Sequence, residues 1–219
     1  MMTQAIMIKI NIGSGPNVQR PGFINIDNSP SIWLAKVSWL KALLHHAGFL
    51  TAQQLRDDWR GVIKSDASRK LPFADGSVDR IYSSHFLEHL PYEKARKTLR
   101  ECHRILSPDG VMRLVVPDLL WHAEQYIQKT RQLLNSSPAN FDRKPHDDFM
   151  ETVSGSYLNR KRFGALHCYM YDYPTLYIML QKIGFGRIAL CGYRQGEDKE
   201  LTSLDNRPGE SLHLEIRKN

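Results

Sequence analysis

Several short stretches of this sequence carry residue types that can do chemistry. The first is Gly13-Ser14-Gly15, directly after the alternating Ile8, Ile10 and Ile12. A glycine-rich turn at the end of a strand lets backbone N–H groups approach a ligand, because no side chain stands between. Alone it marks either a nucleotide-type pocket or a mere tight turn. The dinucleotide fingerprint G-x-G-x-x-G starting at Gly13 needs a sixth-position glycine where Val18 stands, which counts against NAD or FAD.

Two acids follow. Asp27 closes one apolar stretch, and Asp66, followed by the small Ala67, closes another. A carboxylate at Asp27 can accept both hydroxyls of a ribose. One at Asp66 can meet the exocyclic amine of an adenine, with Ala67 leaving room for the ring. Either acid alone is equally a turn former. Their succession at strand ends points to a ligand, because open α/β sheets bind at the carboxyl ends of their strands.

His85-Phe86-Leu87-Glu88-His89 matches the H-x-x-E-H pattern of inverted zinc peptidases. Such a motif has to sit inside a helix; here it follows a strand-like run and is cut off by Pro91, so the peptidase reading is set aside. The plain reading is that Glu88 and His89 fix the turn after the strand. His85 then becomes the preferred active-site member. A last candidate is Ala165-Leu166-His167-Cys168-Tyr169-Met170-Tyr171-Asp172-Tyr173, whose aromatic, histidine and acidic side chains either line a sugar or aromatic pocket or pack a lid onto the sheet.

The elements that position these residues alternate between strand and helix, which predicts a parallel sheet covered on both faces. Strands are expected at Ile8–Ile12, Phe23–Asp27, Gly61–Asp66, Val78–Ser84, Val111–Val116, Arg187–Tyr193 and Leu212–Arg217. The last two are expected to be joined by a long polar loop. Trp33, Val37, Leu40 and Leu44 repeat at helical spacing, so residues 31–58 read as a helical insertion split in two at Gly48. Pro91 opens a helix carrying Ala95, Leu99, Cys102 and Leu106, and Pro108-Asp109-Gly110 ends it. Another helix runs from Asp118 to about Leu134, and Pro174 begins one that ends at Gly184. Residues 135–173 read as an irregular, substrate-side lid segment, with a short helix near Asp147. The fold class is therefore α/β: a doubly wound, Rossmann-like, mostly parallel seven-stranded sheet with a C-terminal antiparallel hairpin, in one domain over 1–219.

At 219 residues, 42% hydrophobic and 24% charged, the chain has the balance of a soluble globular domain. No apolar run approaches the roughly 18–20 residues that span a bilayer. The start has no basic region before its apolar stretch, so a cytoplasmic location is expected. Cys102, Cys168 and Cys191 form no CxxC pair and suggest neither a disulfide framework nor a cysteine zinc site. The formal charge of +7 invites an anionic partner. Lys94, Arg96, Lys97, Arg100 and Arg104, however, share one expected helix, where a solvated face explains them. Arg160-Lys161-Arg162 is the tighter cluster and a candidate for touching an acceptor. No interleaved aromatic and basic pattern of a nucleic-acid module is present.

Taken in order, the motifs are Ile10-Asn11-Ile12-Gly13-Ser14-Gly15, Gly22-Phe23-Ile24-Asn25-Ile26-Asp27, Leu71-Pro72-Phe73 with Ser77-Val78-Asp79, Leu87-Glu88-His89, and Leu106-Ser107-Pro108-Asp109-Gly110. Tyr171-Asp172, Gly184-Phe185 and Arg207-Pro208 extend the series. This order resembles the class I S-adenosylmethionine-dependent methyltransferases of the type 11 group, and most of all the bacterial members often found near glycosyltransferases. The resemblance implies S-adenosyl-L-methionine as cofactor and S-adenosylhomocysteine as product. It implies that Gly13 and Gly15 line the methionine part, that Asp27 holds the ribose, that Asp66-Ala67 flank the adenine, and that Ser83 lies beside the sulfonium. The full cofactor-contacting set expected is Asn11, Ile12, Gly13, Ser14, Gly15, Asp27, Asn28, Asp66, Ala67, Ser83 and His85. Two departures stand out. Asn11 occupies a position where many relatives carry an acid, and Asn17 lies near one that is often glycine. Relatives that methylate quinone precursors bind a divalent metal with a comparable acidic cluster, so Glu88 and His89 keep that alternative open; no residue is assigned as a metal ligand.

Methyl transfer is an in-line displacement that depends mostly on alignment of donor and acceptor. A base for a hydroxyl acceptor can add roughly 10²- to 10⁴-fold. His85 or His167 is the candidate base, with Asp118 third. The leading expectation is O-methylation of a small-molecule or glycan-type acceptor, which the basic balance would allow to be anionic. RNA or protein methylation, or a non-catalytic cofactor-binding protein of the same fold, are the rival readings.

Overall fold

The computed structural model describes residues 7–16, 20–154 and 166–218. Its centre is a seven-stranded sheet of β1 (Lys9–Ile12), β2 (Ile24–Asp27), β3 (Val62–Lys64), β4 (Val78–Ser84), β5 (Leu106–Pro117), β6 (Arg187–Cys191) and β7 (Ser211–Arg217), in the order β3-β2-β1-β4-β5-β7-β6. Strands β3, β2, β1, β4 and β5 run parallel, and β7 is antiparallel to both β5 and β6. The expected mixed sheet with its C-terminal hairpin is thus present. Its order reverses between β1 and β4, the place where a doubly wound sheet opens a crevice.

Strand alternation gives the sheet two unlike faces. One register row runs Ile24, Ile10, Ile81, Met112, Ile216 and Ile188. That apolar face packs against α4 (Tyr92–Ile105), which buries Ala95, Leu99, Cys102 and Ile105, and α7 (Tyr173–Ile183), which buries Leu176, Met179 and Leu180. The helical spacing of these residues is the stripe read from the sequence. Lys94, Lys97 and Arg100 lie exposed on the opposite side of α4, as a solvated face. Arg104 turns back instead, and its guanidinium holds the Leu71 and Phe73 carbonyls.

The next row, Asn25, Asn11, Tyr82, Arg113 and Glu215, is polar. Arg113 is fully buried there, its guanidinium 2.6 Å from the Asp205 carboxylate and donating to the Gln195 and Gly192 carbonyls. The residues that satisfy it all come from the connection between β6 and β7. That connection contains a helix the sequence reading missed, α8 (Lys199–Ser203), capped by the Asp198 carboxylate on the Leu201 N–H. Leu201 packs with Phe23, Tyr82 and Val111, while Lys9–Glu200 (2.6 Å) and Arg80–Asp198 (2.7 Å) tie α8 to β1 and β4.

The reason for this cover lies in the first crossover. Parallel neighbours are ordinarily joined through about a dozen or more residues, usually as a helix. Between β1 and β2 the described residues of 13–23 contain no helix. The β6–β7 connection supplies the cover there instead.

The insertion at 31–58 forms three short helices where two were expected: α1 (Ser31–Leu34), α2 (Ser38–His46) and α3 (Ala52–Arg56). Val37 leaves helical geometry at φ −124°, ψ 76°. A capping box between Thr51 and Gln54 starts α3, a T-x-x-Q signal visible in the sequence. Helix α5 (Leu119–Leu134) runs as expected, and α6 (Lys144–Ser154) is a full helix around Asp147 that packs on it through Tyr126 and Phe149. No helix of the described residues is long and apolar enough to cross a membrane.

Candidate active site

The turn after β1 is built by two backbone constraints. Gly13 and Gly15 both have positive φ, 69° and 65°, where a side chain is strained. The Gly13 and Ser14 N–H groups donate to the Ile26 carbonyl of β2 (2.8 and 3.2 Å), and Gly15 N–H donates to Asp27 Oδ2 at 2.9 Å. Asp27 also accepts from Ser29 N–H through Oδ1 at 2.7 Å. It therefore clamps the glycine turn to the end of β2, and each carboxylate oxygen keeps acceptor capacity for a ligand hydroxyl.

Two cavities meet at this turn, and Gly13, Gly15 and His85 line both. The larger cleft is about 900 Å³, at the upper end of the range usual for small-molecule sites. Asp27 and Asn28 form its polar side, while Trp33, Phe49, Trp59 and Phe86 supply aromatic surface. The smaller cavity, about 180 Å³, is polar: Asn11, Ser14, Arg20, Ser84, Asn206 and Arg207 line it with Tyr82. Asn11 is held by donating to Asn25 Oδ1 at 2.9 Å, and the Arg20 guanidinium lies over the Tyr82 ring.

Other expected residues fall outside these cavities. Ile12 is buried core. Ser83 shares the apolar face of the sheet with Ile12 and Leu114, which pair on either side of it. Strand alternation sends Ser84 to the cavity instead, so Ser84 takes the place expected of Ser83. Ala67 is packed into the core, and Asp66 closes its own turn by accepting from Ser68 N–H and Oγ. Neither lines the cleft. Asp118 caps α5 through the Leu120 N–H and lines neither cavity. Asn17, Val18, Arg160-Lys161-Arg162 and Ala165 lie outside the described residues.

His85 follows β4 with a left-handed backbone, φ 50°, held by its N–H on the Val115 carbonyl at 2.9 Å. A non-glycine residue in that region is uncommon, and here the turn presents the imidazole to both cavities. Its Nε2 lies 2.9 Å from Ser211 Oγ, and its Nδ1 lies 3.4 Å from Glu88 Oε1. Burial, then the nearby Arg207 charge, push the imidazole down to about 3. Burial pushes Glu88 the other way, up to about 8. The pair therefore favours a neutral imidazole beside a neutral carboxyl near neutral pH.

The segment from Leu166 to Tyr173 packs against the turn after β4 and the start of α4. Tyr171 is completely buried, Tyr169 packs between Tyr92 and Tyr171, and Asp172 caps α7 on the Thr175 N–H. Cys168 and Tyr169 donate their N–H groups to the Glu88 carbonyl, which brings His167 against His89, ring centroids 5.0 Å apart. The structure thus gathers His85, Glu88, His89 and His167 beside the cleft. Arg20, Ser84, Asn206 and Arg207, which line the small cavity, and Ser211, which contacts His85, were not assigned from the sequence. For Ser84 the alternation from Tyr82 was a usable signal; the others depend on tertiary placement.

Residues 40–114 match a family model described as a methyltransferase domain. Among solved structures, the fold is similar to a SAM-dependent methyltransferase of Thermotoga maritima described as a possible histamine N-methyltransferase, with a TM-score of 0.53 and 15% identity over 97% of this chain and 82% of that one. A SAM-dependent methyltransferase from Archaeoglobus fulgidus is similar at a TM-score of 0.52 and 14% identity, over 98% of this chain and 87% of that one. The CMeT domain of the citrinin polyketide synthase matches at 0.51 and 13%, over 97% of this chain; the chain spans 46% of that protein's length. At these identities the likeness is one of fold. No curated protein gives a significant match. The matched domain and the architecture agree: residues 40–114 carry the methyltransferase-domain pattern, and the chain has the fold of these SAM-dependent methyltransferases.

Proposed function

We propose that this chain is an S-adenosylmethionine-dependent methyltransferase that acts on a hydroxyl of a small-molecule or glycan-type acceptor, bound in the large cleft next to His85. The observation that carries the reading is the position of His85, on the wall shared by the two cavities and beside the glycine turn. The cofactor supplies an electrophilic methyl on a sulfonium, whose carbon–sulfur bond breaks as the carbon–oxygen bond to the acceptor forms.

The chain's own residues divide the work. Asp27 and Asn28 suit the ribose, on the larger cleft. Arg20 and Arg207, with Asn11, suit the carboxylate and amino group of the methionine part, in the small polar cavity. Two guanidinium groups there offset the acid missing at position 11 by binding the opposite end of the same zwitterion. The aromatic surface of Trp33, Phe49 and Trp59 suits the flat face of a sugar or another ring.

His85 acts as a neutral hydrogen-bond acceptor for the reacting hydroxyl, exchanging its Ser211 partner for it. Its depressed basicity makes it a poor base toward a free alcohol. It suffices late in the transfer, when the oxygen is gaining its third bond and its proton has become acidic. His85→Ala should therefore lower kcat by about 100-fold, toward the low end of general-base contributions, with cofactor affinity nearly unchanged. Turnover equal to wild type, measured with labelled cofactor on a panel of sugar and phenol acceptors, would sink this role.

A further inference from the structure

We infer that Glu88, His89 and His167 form a binding site for one divalent transition-metal ion, with zinc the best match to two imidazoles and a carboxylate. One ligand atom from each of the three lies within 4.8 Å of the other two. Glu88 and His89 are neighbours in the turn after β4, while His167 is distant in sequence. His167 joins them because the backbone N–H groups of Cys168 and Tyr169 dock on the Glu88 carbonyl.

Glu88 is the pointer to an ion. Its side chain is 0% exposed, and among the described residues neither carboxylate oxygen has a hydrogen-bond partner. A buried carboxyl in that condition is costly, and native structures nearly always satisfy it by pairing or by metal coordination. The groups facing Oε1 are His85 Nδ1 at 3.4 Å and His89 Nε2 at 3.9 Å. In a tetrahedral zinc site with bonds of about 2.0–2.1 Å, donors lie roughly 3.4 Å apart, so a modest inward movement closes the set.

The outer contacts are also those of a metal centre. His89 Nδ1 lies 3.2 Å from the Leu166 carbonyl, and His167 Nδ1 contacts the Thr152 carbonyl. Ligating histidines commonly donate one ring N–H to a carbonyl in this way, which fixes the tautomer and leaves the other nitrogen's lone pair for the ion. Both histidines then offer Nε2. His85 is held separately by Ser211 and stays outside the set. Three protein donors leave a fourth position for water or an acceptor oxygen. The site also ties residues 166–172 to the turn after β4, next to the cleft that His89 lines.

The test is metal binding by the whole protein without cofactor. Isothermal titration with zinc, with mass-spectrometric metal counting after dialysis, should give one ion per chain. Cobalt(II) substitution should give the intense visible absorption of a four-coordinate ion. Glu88→Gln and His167→Ala, each checked for wild-type circular dichroism, should weaken zinc by more than the roughly 10- to 100-fold that outer-contact changes cost. No stoichiometric zinc in wild type, a weakly absorbing octahedral cobalt spectrum, or undiminished zinc affinity in both folded variants would overturn the site. Failure of methyl transfer to any acceptor would leave this result untouched, because the measurement uses neither cofactor nor acceptor.

Discussion

Replacing Gly13 by alanine should reduce affinity for S-adenosylhomocysteine by about 100-fold, roughly 2.7 kcal/mol. The cause is twofold. Gly13 has φ 69°, where a side chain costs about 1–2 kcal/mol. A Cβ on its backbone would also overlap the Phe86 ring, so Phe86 must move, and Phe86 is part of the cleft wall. Gly15 is the control. Its φ is 65°, but a Cβ there meets nothing within 4 Å. Gly15→Ala should carry the backbone strain without the steric displacement, and lose markedly less affinity. Calorimetric titration of both variants checks the difference; equal losses would mean that Phe86 contact is irrelevant to the pocket.

Asp205→Ala should be strongly destabilising, costing about 3–5 kcal/mol. Asp205 and Arg113 are both fully buried, 2.6 Å apart, and Asp205 also accepts the Arg194 N–H. Truncation leaves a guanidinium in the interior with its charge uncompensated. The pair also fastens the β6–β7 connection onto the face of β5, so its loss loosens the cover over β1 and β4. Arg113→Met with Asp205→Leu, which removes both charges, should recover much of the loss, because well-packed apolar replacements of a buried pair are often neutral or better. Urea denaturation of the single and double variants measures this. A loss below about 1 kcal/mol for Asp205→Ala, the scale of an exposed pair, would contradict the burial described.

Much of the sheet was legible because its strands are short apolar runs bounded by glycine, proline and acids. The amphipathic stripe of α4 and the Pro174–Gly184 limits of α7 were equally plain. The missed elements have physical reasons. Helix α8 is short and polar, and it is held by the single anchor Leu201 and by Lys9 and Arg80 from distant strands rather than by an apolar stripe. The 31–58 region carries its large apolar residues on a surface facing the cleft. Helical spacing was therefore seen, while the break at Val37 left no composition signal. Gly13, Gly15, Asp27 and His85, which line the cavities, could be picked out because backbone shape or strand ends single them out. Ser83 was displaced by one residue, and in a strand one residue is the opposite face. The burial of Glu88 and the arrival of His167 depend on how residues 166–173 dock on the turn after β4, which no local pattern encodes.

The central claim is that this chain holds S-adenosylmethionine on the glycine turn after β1 through Asp27. Isothermal titration of S-adenosylhomocysteine into wild type and Asp27→Ala tests it most directly. One molecule should bind per wild-type chain, and the variant should lose about 10-fold or more, since a bound hydroxyl pair and the Gly15 clamp go together. Absence of binding to wild type, or an affinity unchanged by Asp27→Ala in a folded protein, would contradict the account.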